Sequence, residues 1–176
     1  RLFSRIGDDN NAHSSQVKRN RGVEVDLGGA LQDFYGNHRS GWSYAVSQLA
    51  DINTSSGVYL DTFIERTFSW GVGEPTVYKR PWVGFIHVPP NVPKWFQYAQ
   101  SNEAIFSTEQ WKESYPYCKG LFTLSEYHKK ALEKILDVPV CALLHPTPMD
   151  VAKWRAEAFL KNKEKRIVQV GWWLRK

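Results

Sequence analysis

The first candidate for a reactive residue is His87, the histidine at the end of the apolar run "RPWVGFIH" (Arg80–His87). A continuous apolar run bounded by prolines is typical of a buried parallel strand. The "VPPN" that follows predicts an irregular loop, because each proline fixes φ and removes a backbone donor. An imidazole held there can hydrogen-bond a sugar hydroxyl or act as a general acid or base. A purely structural histidine fits the same pattern, so both roles stay open for His87.

A second candidate lies at the start of the predicted helix "SGWSYAVSQLADI", which Ser40 and Gly41 open. Without a Cβ, Gly41 would let a phosphate approach the backbone N–H groups at the helix N-terminus. A single glycine is also common at the boundary between a loop and a helix, where it needs no ligand to explain it. The sequence therefore allows a phosphate contact at Gly41 without requiring one.

Several chemistries are disfavoured by motifs that the sequence lacks. It contains no G-x-G-x-x-G, P-loop, G-x-S-x-G or H-E-x-x-H pattern and no Cys/His spacing typical of metal ligands. These absences argue against nicotinamide enzymes, P-loop NTPases, serine hydrolases and zinc enzymes, and we expect neither a metal nor a bound cofactor. Ser125 is predicted to cap a helix rather than act as a nucleophile, and His128 and His145 are predicted to be structural.

The composition is that of a globular protein with many tryptophans. Its 176 residues are 42% apolar and 23% charged, which suits one hydrophobic core. The eight tryptophans suit a core, and they also suit stacking on sugars. A net charge of +5 fits phosphate, nucleic acid or an acidic membrane surface. The basic and aromatic pattern of an RNA-binding sheet is missing, so we expect no nucleic acid partner and leave peripheral membrane association open.

The sequence also carries indications of the cellular compartment and of whether the chain is a fragment. Cys118 and Cys141 lie among apolar or aromatic residues and are predicted to be buried free thiols of a cytoplasmic protein. No signal-peptide pattern or membrane-spanning run is found. The chain opens on Arg1 and its only methionine is Met149, so we interpret it as a fragment, at least at its front.

Apolar runs that alternate with helical patterns predict an α/β fold, a Rossmann-like doubly wound parallel sheet. Ligands of such sheets bind beside the carboxyl ends of the strands, so this rule points to the residues just past each strand: His87, Ser125, His145 and the terminal "GWWLRK". The predicted strands are Val23–Leu27, Val58–Leu60, Arg80–His87, Lys119–Leu124, Val138–His145 and a last run, "KRIVQVG", from Lys165.

Capping residues predict where three helices begin. Ser107, with Gln110 three residues on, has the spacing of a capping box, and Ser125 opens the next helix. Asp150 is expected to cap a helix within "MDVAKWRAEAFLKN". Its predicted inward stripe comprises Val151, Trp154, Ala158 and either Phe159 or Leu160.

Three segments, taken in order, resemble a known family: "PWVGFIHVPPNVPKWF", "CKGLFTLSEYHKKALEKILDVPVCALLHPT" and "KRIVQVGWWLRK". They are similar to the N-terminal half of GT-B glycosyltransferases of the retaining, glycogen-synthase-like kind. The resemblance covers residues 40–176. It implies a polar N-terminal segment with a first strand at 1–40, a Rossmann-like acceptor-binding domain at 41–164, and the first strand and loop of a C-terminal donor domain at 165–176.

The resemblance also implies roles for individual residues. His87 matches the histidine that contacts the transferred sugar and is the expected catalytic residue. Gly41 matches a glycine-bearing loop that approaches the donor diphosphate, although the family commonly has paired glycines there. Arg175 and Lys176 match a basic pair that would neutralise the departing diphosphate. Substrate contacts are expected at Gly41, Trp42, Pro90, Asn91 and Trp95.

The expected function is transfer of a sugar from a nucleotide-sugar donor to a glycan or other hydroxyl acceptor. The family's acidic donor-site motif lies in the second domain, so the 176 residues alone are expected to be inactive. The expected partners are the nucleotide-sugar, the carbohydrate acceptor and that second domain. Two alternatives remain: a non-catalytic, tryptophan-rich module that binds glycan or protein, and a nucleotide-binding regulatory domain.

Overall fold

A five-stranded parallel sheet organises the part of the chain that the structure describes. The structure is a computed structural model that describes residues 22, 24–33, 40–70, 76–147 and 153–165. Every neighbouring pair of strands is parallel. The predicted α/β class with a parallel sheet is thereby confirmed, whereas the predicted doubly wound strand order is not found among the described strands. The strands are β1 (Val25–Asp26), β2 (Val58–Asp61), β3 (Trp82–Ile86), β4 (Cys118–Thr123) and β5 (Val140–Ala142).

The strands lie side by side in the order β1-β2-β3-β4-β5, the order in which the chain makes them. A doubly wound sheet places its ligand crevice where the strand order reverses. Across the five described strands there is no such reversal, so the topology alone singles out no crevice. It does make β3 the central strand, and His87 therefore follows the middle of the sheet.

Within the described ranges, six short α-helices accompany the strands: α1 (Ser40–Ser47), α2 (Ile64–Ser69), α3 (Asn102–Ser107), α4 (Glu109–Ser114), α5 (Glu126–Leu132) and α6 (Ala156–Lys161). The prediction that Ser125 caps α5 is confirmed, because its Oγ accepts from the His128 N–H at 3.2 Å. The predicted cap at Ser107 is wrong by one residue. Ser107 ends α3, and the hydroxyl of Thr108 accepts from the Trp111 N–H instead.

Helices cover both faces of the sheet, because alternate residues of a strand point to opposite sides. Helix α1 packs on one face, where the core contains Val46, Leu49, Leu60, Val83 and Phe85. Helices α2 to α5 contribute to the core on the other face, which contains Ile64, Phe68, Trp82, Ile86, Ile105, Trp111, Leu121 and Leu132.

The last part of the described chain departs from the sequence predictions. In β5, at the edge of the sheet, only Val140 is buried, and the Cys141 thiol is exposed whereas Cys118 is buried. The predicted inward stripe of α6 is wrong for the side chains described, since Trp154, Ala158, Phe159 and Leu160 are all exposed. Helical spacing predicts which residues share one side of a helix, but it does not predict which part of the protein covers that side. Asp150, Val151 and most of the predicted last strand, from Arg166 on, lie outside the described residues.

Candidate functional site

His87 occupies the carboxyl end of β3, as the apolar run predicted, and its ring is held in one orientation. The ring Nε2 lies 2.9 Å from the carbonyl oxygen of Thr62, just after β2. A carbonyl oxygen can only accept, so Nε2 carries a proton and donates to it. An imidazole held in one orientation can hydrogen-bond a hydroxyl group.

The backbone at this strand end is held by Glu65, a residue of α2 with no exposed surface. Its Oε1 accepts from the N–H groups of both His87 and Val88, each at 2.7 Å. Burial is the largest influence on the carboxyl and raises its pKa to about 7, although the backbone N–H bonds act in the opposite direction. The other oxygen, Oε2, is buried without a hydrogen-bond partner among the described residues. Glu65 thus fixes the position of His87 without touching its ring nitrogens.

A second buried polar pair supports the same loop from α3 and α5. The Asn102 Nδ2 lies 3.4 Å from the Val88 carbonyl oxygen and 3.2 Å from the His128 Nε2. Burial lowers the pKa of His128 to about 4, so its imidazole is neutral near pH 7. His128 is structural, as predicted, because its ring nitrogen accepts from an amide that also donates to the loop.

Aromatic rings surround the imidazole of His87. The rings of Phe63 and Trp42 lie with centroids 4.6 Å and 5.2 Å from it, and His145 lies 6.1 Å from the Trp42 ring. Trp42 is buried, and its Nε1 has no partner within the described part of the chain. The structure therefore brings together three sequence candidates, Trp42, His87 and His145, the last of which was expected to be only structural.

Gly41 lies beside the same cluster, with a packing reason for being glycine. A Cβ built on it would stand 2.3 Å from the backbone of Pro146 and 2.7 Å from the Thr147 nitrogen. The chain that follows β5 thus occupies the space next to Gly41. Its expected contact with a diphosphate remains a prediction.

The loop after His87 carries the remaining substrate candidates. Asn91 adopts a left-handed backbone (φ 63°), and its amide nitrogen lies 3.2 Å from the Tyr127 hydroxyl at the start of α5. Trp95 is 66% exposed and Pro90 is half-buried. These residues extend the site away from the Trp42–His87 cluster. The expected phosphate contacts Arg175 and Lys176 lie outside the described residues.

Two residues that matter for the geometry, Thr62 and Glu65, were not found from the sequence. The stretch "TFIERTF" follows the predicted strand Val58–Leu60, and its pattern assigned no side chain a direction. One signal was available: Glu65 is the single acidic residue in a stretch that also contains Phe63, Ile64 and Phe68. A carboxylate at such a position is buried only when hydrogen bonds hold it, and it often supports a site.

Metal-ligand groups, membrane-spanning helices and similarity to known proteins do not assign a function to the described residues. In the described ranges there is no group of three His, Cys, Asp or Glu placed to hold a metal ion. None of the described helices combines the length and apolarity needed to cross a bilayer. No protein-family model, curated protein or solved structure matches the sequence.

Proposed function

We propose that this chain forms the acceptor-binding side of a glycosyltransferase, which moves a sugar from a nucleotide-sugar to a hydroxyl acceptor. The observation that carries the proposal is the fixed His87. Its ring follows the central strand, Glu65 holds its backbone, and the Thr62 carbonyl accepts from its Nε2. This arrangement supports a role in which the imidazole meets a sugar hydroxyl.

The surroundings of His87 hold its imidazole in place. Phe63 and Trp42 are buried and pack against it, so they position the ring rather than meet a ligand. An imidazole held in this way can hydrogen-bond the hydroxyl groups that project from the edge of a sugar.

In the proposed reaction the bond between the anomeric carbon and the diphosphate oxygen breaks. A bond forms between that carbon and the acceptor hydroxyl oxygen, and the hydroxyl proton passes to the departing diphosphate. His87 would hold a hydroxyl of the transferred sugar in place, and Glu65 would act only by positioning His87. Charge neutralisation of the diphosphate is assigned to Arg175 and Lys176, as the resemblance implies.

The test uses the protein expressed from its complete reading frame, incubated with separate UDP-, GDP- and ADP-sugars and a panel of glycosides. We expect one donor to release its nucleoside diphosphate, with His87→Ala lowering kcat/KM by about 10²-fold or more. Lys134→Ala, an exposed change after α5, is the matched control and should keep full activity. Release from no donor, or full activity in His87→Ala, would contradict the proposal. Robust transfer by the 176 residues alone would contradict the assignment of donor binding to a second domain.

A glycan-binding module without catalysis is the second candidate, and the exposed aromatic side chains favour it. Trp95 is 66% exposed and Tyr127 is 64% exposed, and the Tyr127 hydroxyl is hydrogen-bonded to Asn91. If this function is correct, a glycan binds with no diphosphate release from any donor. Trp95→Ala would then weaken glycan binding, whereas His87→Ala would leave it unchanged.

A further inference from the structure

A shallow, open cleft lies at the carboxyl ends of β1 and β2, apart from the rings around His87. Its walls include Gly29, Asp33, Tyr59, Thr62 and Arg66. Its cavity volume of about 80 Å³ is below the range for enclosed small-molecule sites, about 300–1,000 Å³, so the cleft can hold only part of a sugar and leaves the rest in solvent.

The cleft presents one guanidinium and one carboxylate that neutralise each other. Arg66 Nη2 lies 3.1 Å from Asp33 Oδ2, and both side chains are partly exposed, at 46% and 32%. An anion would find the positive charge of Arg66 already compensated. A neutral hydroxyl can accept from a guanidinium N–H and donate to a carboxylate oxygen, so vicinal hydroxyls match the pair.

The other carboxylate of the cleft, Asp61, is engaged inside the fold. It accepts from the Phe63 N–H at 2.8 Å, the Thr67 hydroxyl at 2.6 Å and the Tyr78 hydroxyl at 2.9 Å. Its side chain is therefore a wall of the cleft rather than a group that meets a ligand. Asp33 and Arg66 are the charged groups that the cleft presents to a ligand.

The cleft shares a residue with the candidate site. Thr62 lines the cleft, and its carbonyl oxygen accepts from the Nε2 of His87. A ligand against Thr62 would thus contact the same residue whose carbonyl oxygen orients the imidazole.

We propose that this cleft binds the sugar acceptor as a neutral, polyhydroxylated group, whose hydroxyls bridge Asp33 and Arg66. The identification of the bound sugar as the acceptor rests on the proposed function. The binding of a neutral sugar itself is tested without any transfer reaction. It also moves the expected acceptor contacts from the Trp95 loop to the opposite side of His87, over β1 and β2.

Gly29 supplies the sharpest test, because a Cβ at this position would meet no atom within 4 Å. Gly29→Gln can therefore fill the cleft without disturbing the fold, which circular dichroism and thermal unfolding verify. Ala50→Gln adds a glutamine at an exposed position outside the cleft and is the matched control.

The probes are the methyl glycosides of glucose, galactose, mannose and N-acetylglucosamine, with inorganic phosphate as the anion. Binding is followed by amide chemical shifts in NMR titrations. We expect at least one glycoside to bind in the millimolar range, with shifts centred on Gly29 and Thr62, and Gly29→Gln to weaken it about tenfold or more. Ala50→Gln should bind as the wild type does. Unchanged binding in Gly29→Gln, shifts centred elsewhere, or no binding of any glycoside would overturn the proposal.

A charge variant tests the neutral character of the cleft. Asp33→Asn leaves Arg66 uncompensated, so phosphate should bind this variant at least about tenfold more tightly than the wild type, because a guanidinium recognises phosphate through charge-assisted hydrogen bonds. Equal phosphate binding by the two proteins would show that the Asp33–Arg66 pair does not set the selectivity, which contradicts the inference.

The outcomes separate this inference from the proposed function. Glycoside binding in the cleft without diphosphate release from any donor would contradict the proposed glycosyltransferase function but support sugar binding in the cleft. Transfer with the same acceptor KM in Gly29→Gln and wild type would contradict acceptor binding in the cleft but support the glycosyltransferase function.

Discussion

At the scale of single residues, Glu65 organises the site through only one of its two oxygens. Oε1 accepts two backbone N–H groups at 2.7 Å, and Oε2 is buried with no partner among the described residues. A protonated carboxyl tolerates burial far better than a carboxylate, which is why burial raises the pKa of Glu65 to about 7. The neutral acid is thus the form that suits the folded state.

Two substitutions separate the hydrogen bonds of Glu65 from its charge. Glu65→Gln keeps an oxygen for the His87 and Val88 N–H groups, so we expect slow hydrogen exchange at both amides and a free energy of unfolding close to that of the wild type at neutral pH. Glu65→Ala leaves both donors without an acceptor and should cost about 3 kcal/mol or more. Amide exchange by NMR and urea unfolding measure the two effects. Equal stability of the Ala and Gln variants would contradict this account.

At the scale of elements, α1 and the segment after β5 are fastened together at one point. The Cβ that Gly41 lacks would overlap the backbone of Pro146. The ring of Trp42, one residue on, contacts those of His87 and His145. Backbone contact at Gly41 therefore decides how close α1 can come to the end of β5.

A pair of glycine substitutions tests this contact. Alanine normally stabilises a helix relative to glycine by about 0.5–1 kcal/mol. Gly41→Ala should nevertheless lower the free energy of unfolding by about 2 kcal/mol or more, because backbone atoms must move to admit the methyl group. Gly29→Ala, where the methyl group meets open space, is the control and should change stability little. Thermal unfolding compares the two. A Gly41→Ala variant as stable as the wild type would show that the two segments separate at little cost.

Elements were predictable from the sequence where local chemistry decides them. The apolar run before His87 identified β3, and the hydroxyl of Ser125 identified the start of α5, because both signals act within a few residues. Side-chain partners distant in sequence were not predictable. Glu65 meets the His87 N–H 22 residues away, and α6 exposes a stripe that its periodicity would bury. Such outcomes depend on tertiary contacts, which periodicity does not encode.

At the scale of the whole molecule, buried titratable groups oppose one another in their effect on stability. The pKa of Glu65 is raised from 4.5 to about 7, so its contribution is fully present below pH 4.5 and is lost as the pH rises through 7. The pKa of His128 is lowered from 6.5 to about 4, so its contribution is present above pH 6.5 and is lost as the pH falls through 4. Burial also raises the pKa of Asp61, which acts in the same direction as Glu65.

Single substitutions should show each of these opposing dependences of the free energy of unfolding on pH. Relative to wild type, Glu65→Gln should gain stability as the pH rises between about 4.5 and 7, with a slope of up to about 1.4 kcal/mol per pH unit. His128→Gln should lose stability relative to wild type as the pH rises between about 4 and 6.5. Urea unfolding across this range measures both effects. Parallel curves for the three proteins would contradict the pKa shifts of Glu65 and His128.

The contact between Gly41 and Pro146 has a mechanical consequence for the site. Residues 143–147 leave the edge strand β5, yet Pro146 lies against Gly41 and His145 lies beside Trp42, close to the central strand. Residues 145–147 therefore lie against α1 at the carboxyl end of the sheet. A displacement of this segment would press on Gly41 and on the Trp42 ring, which itself lies against the imidazole of His87.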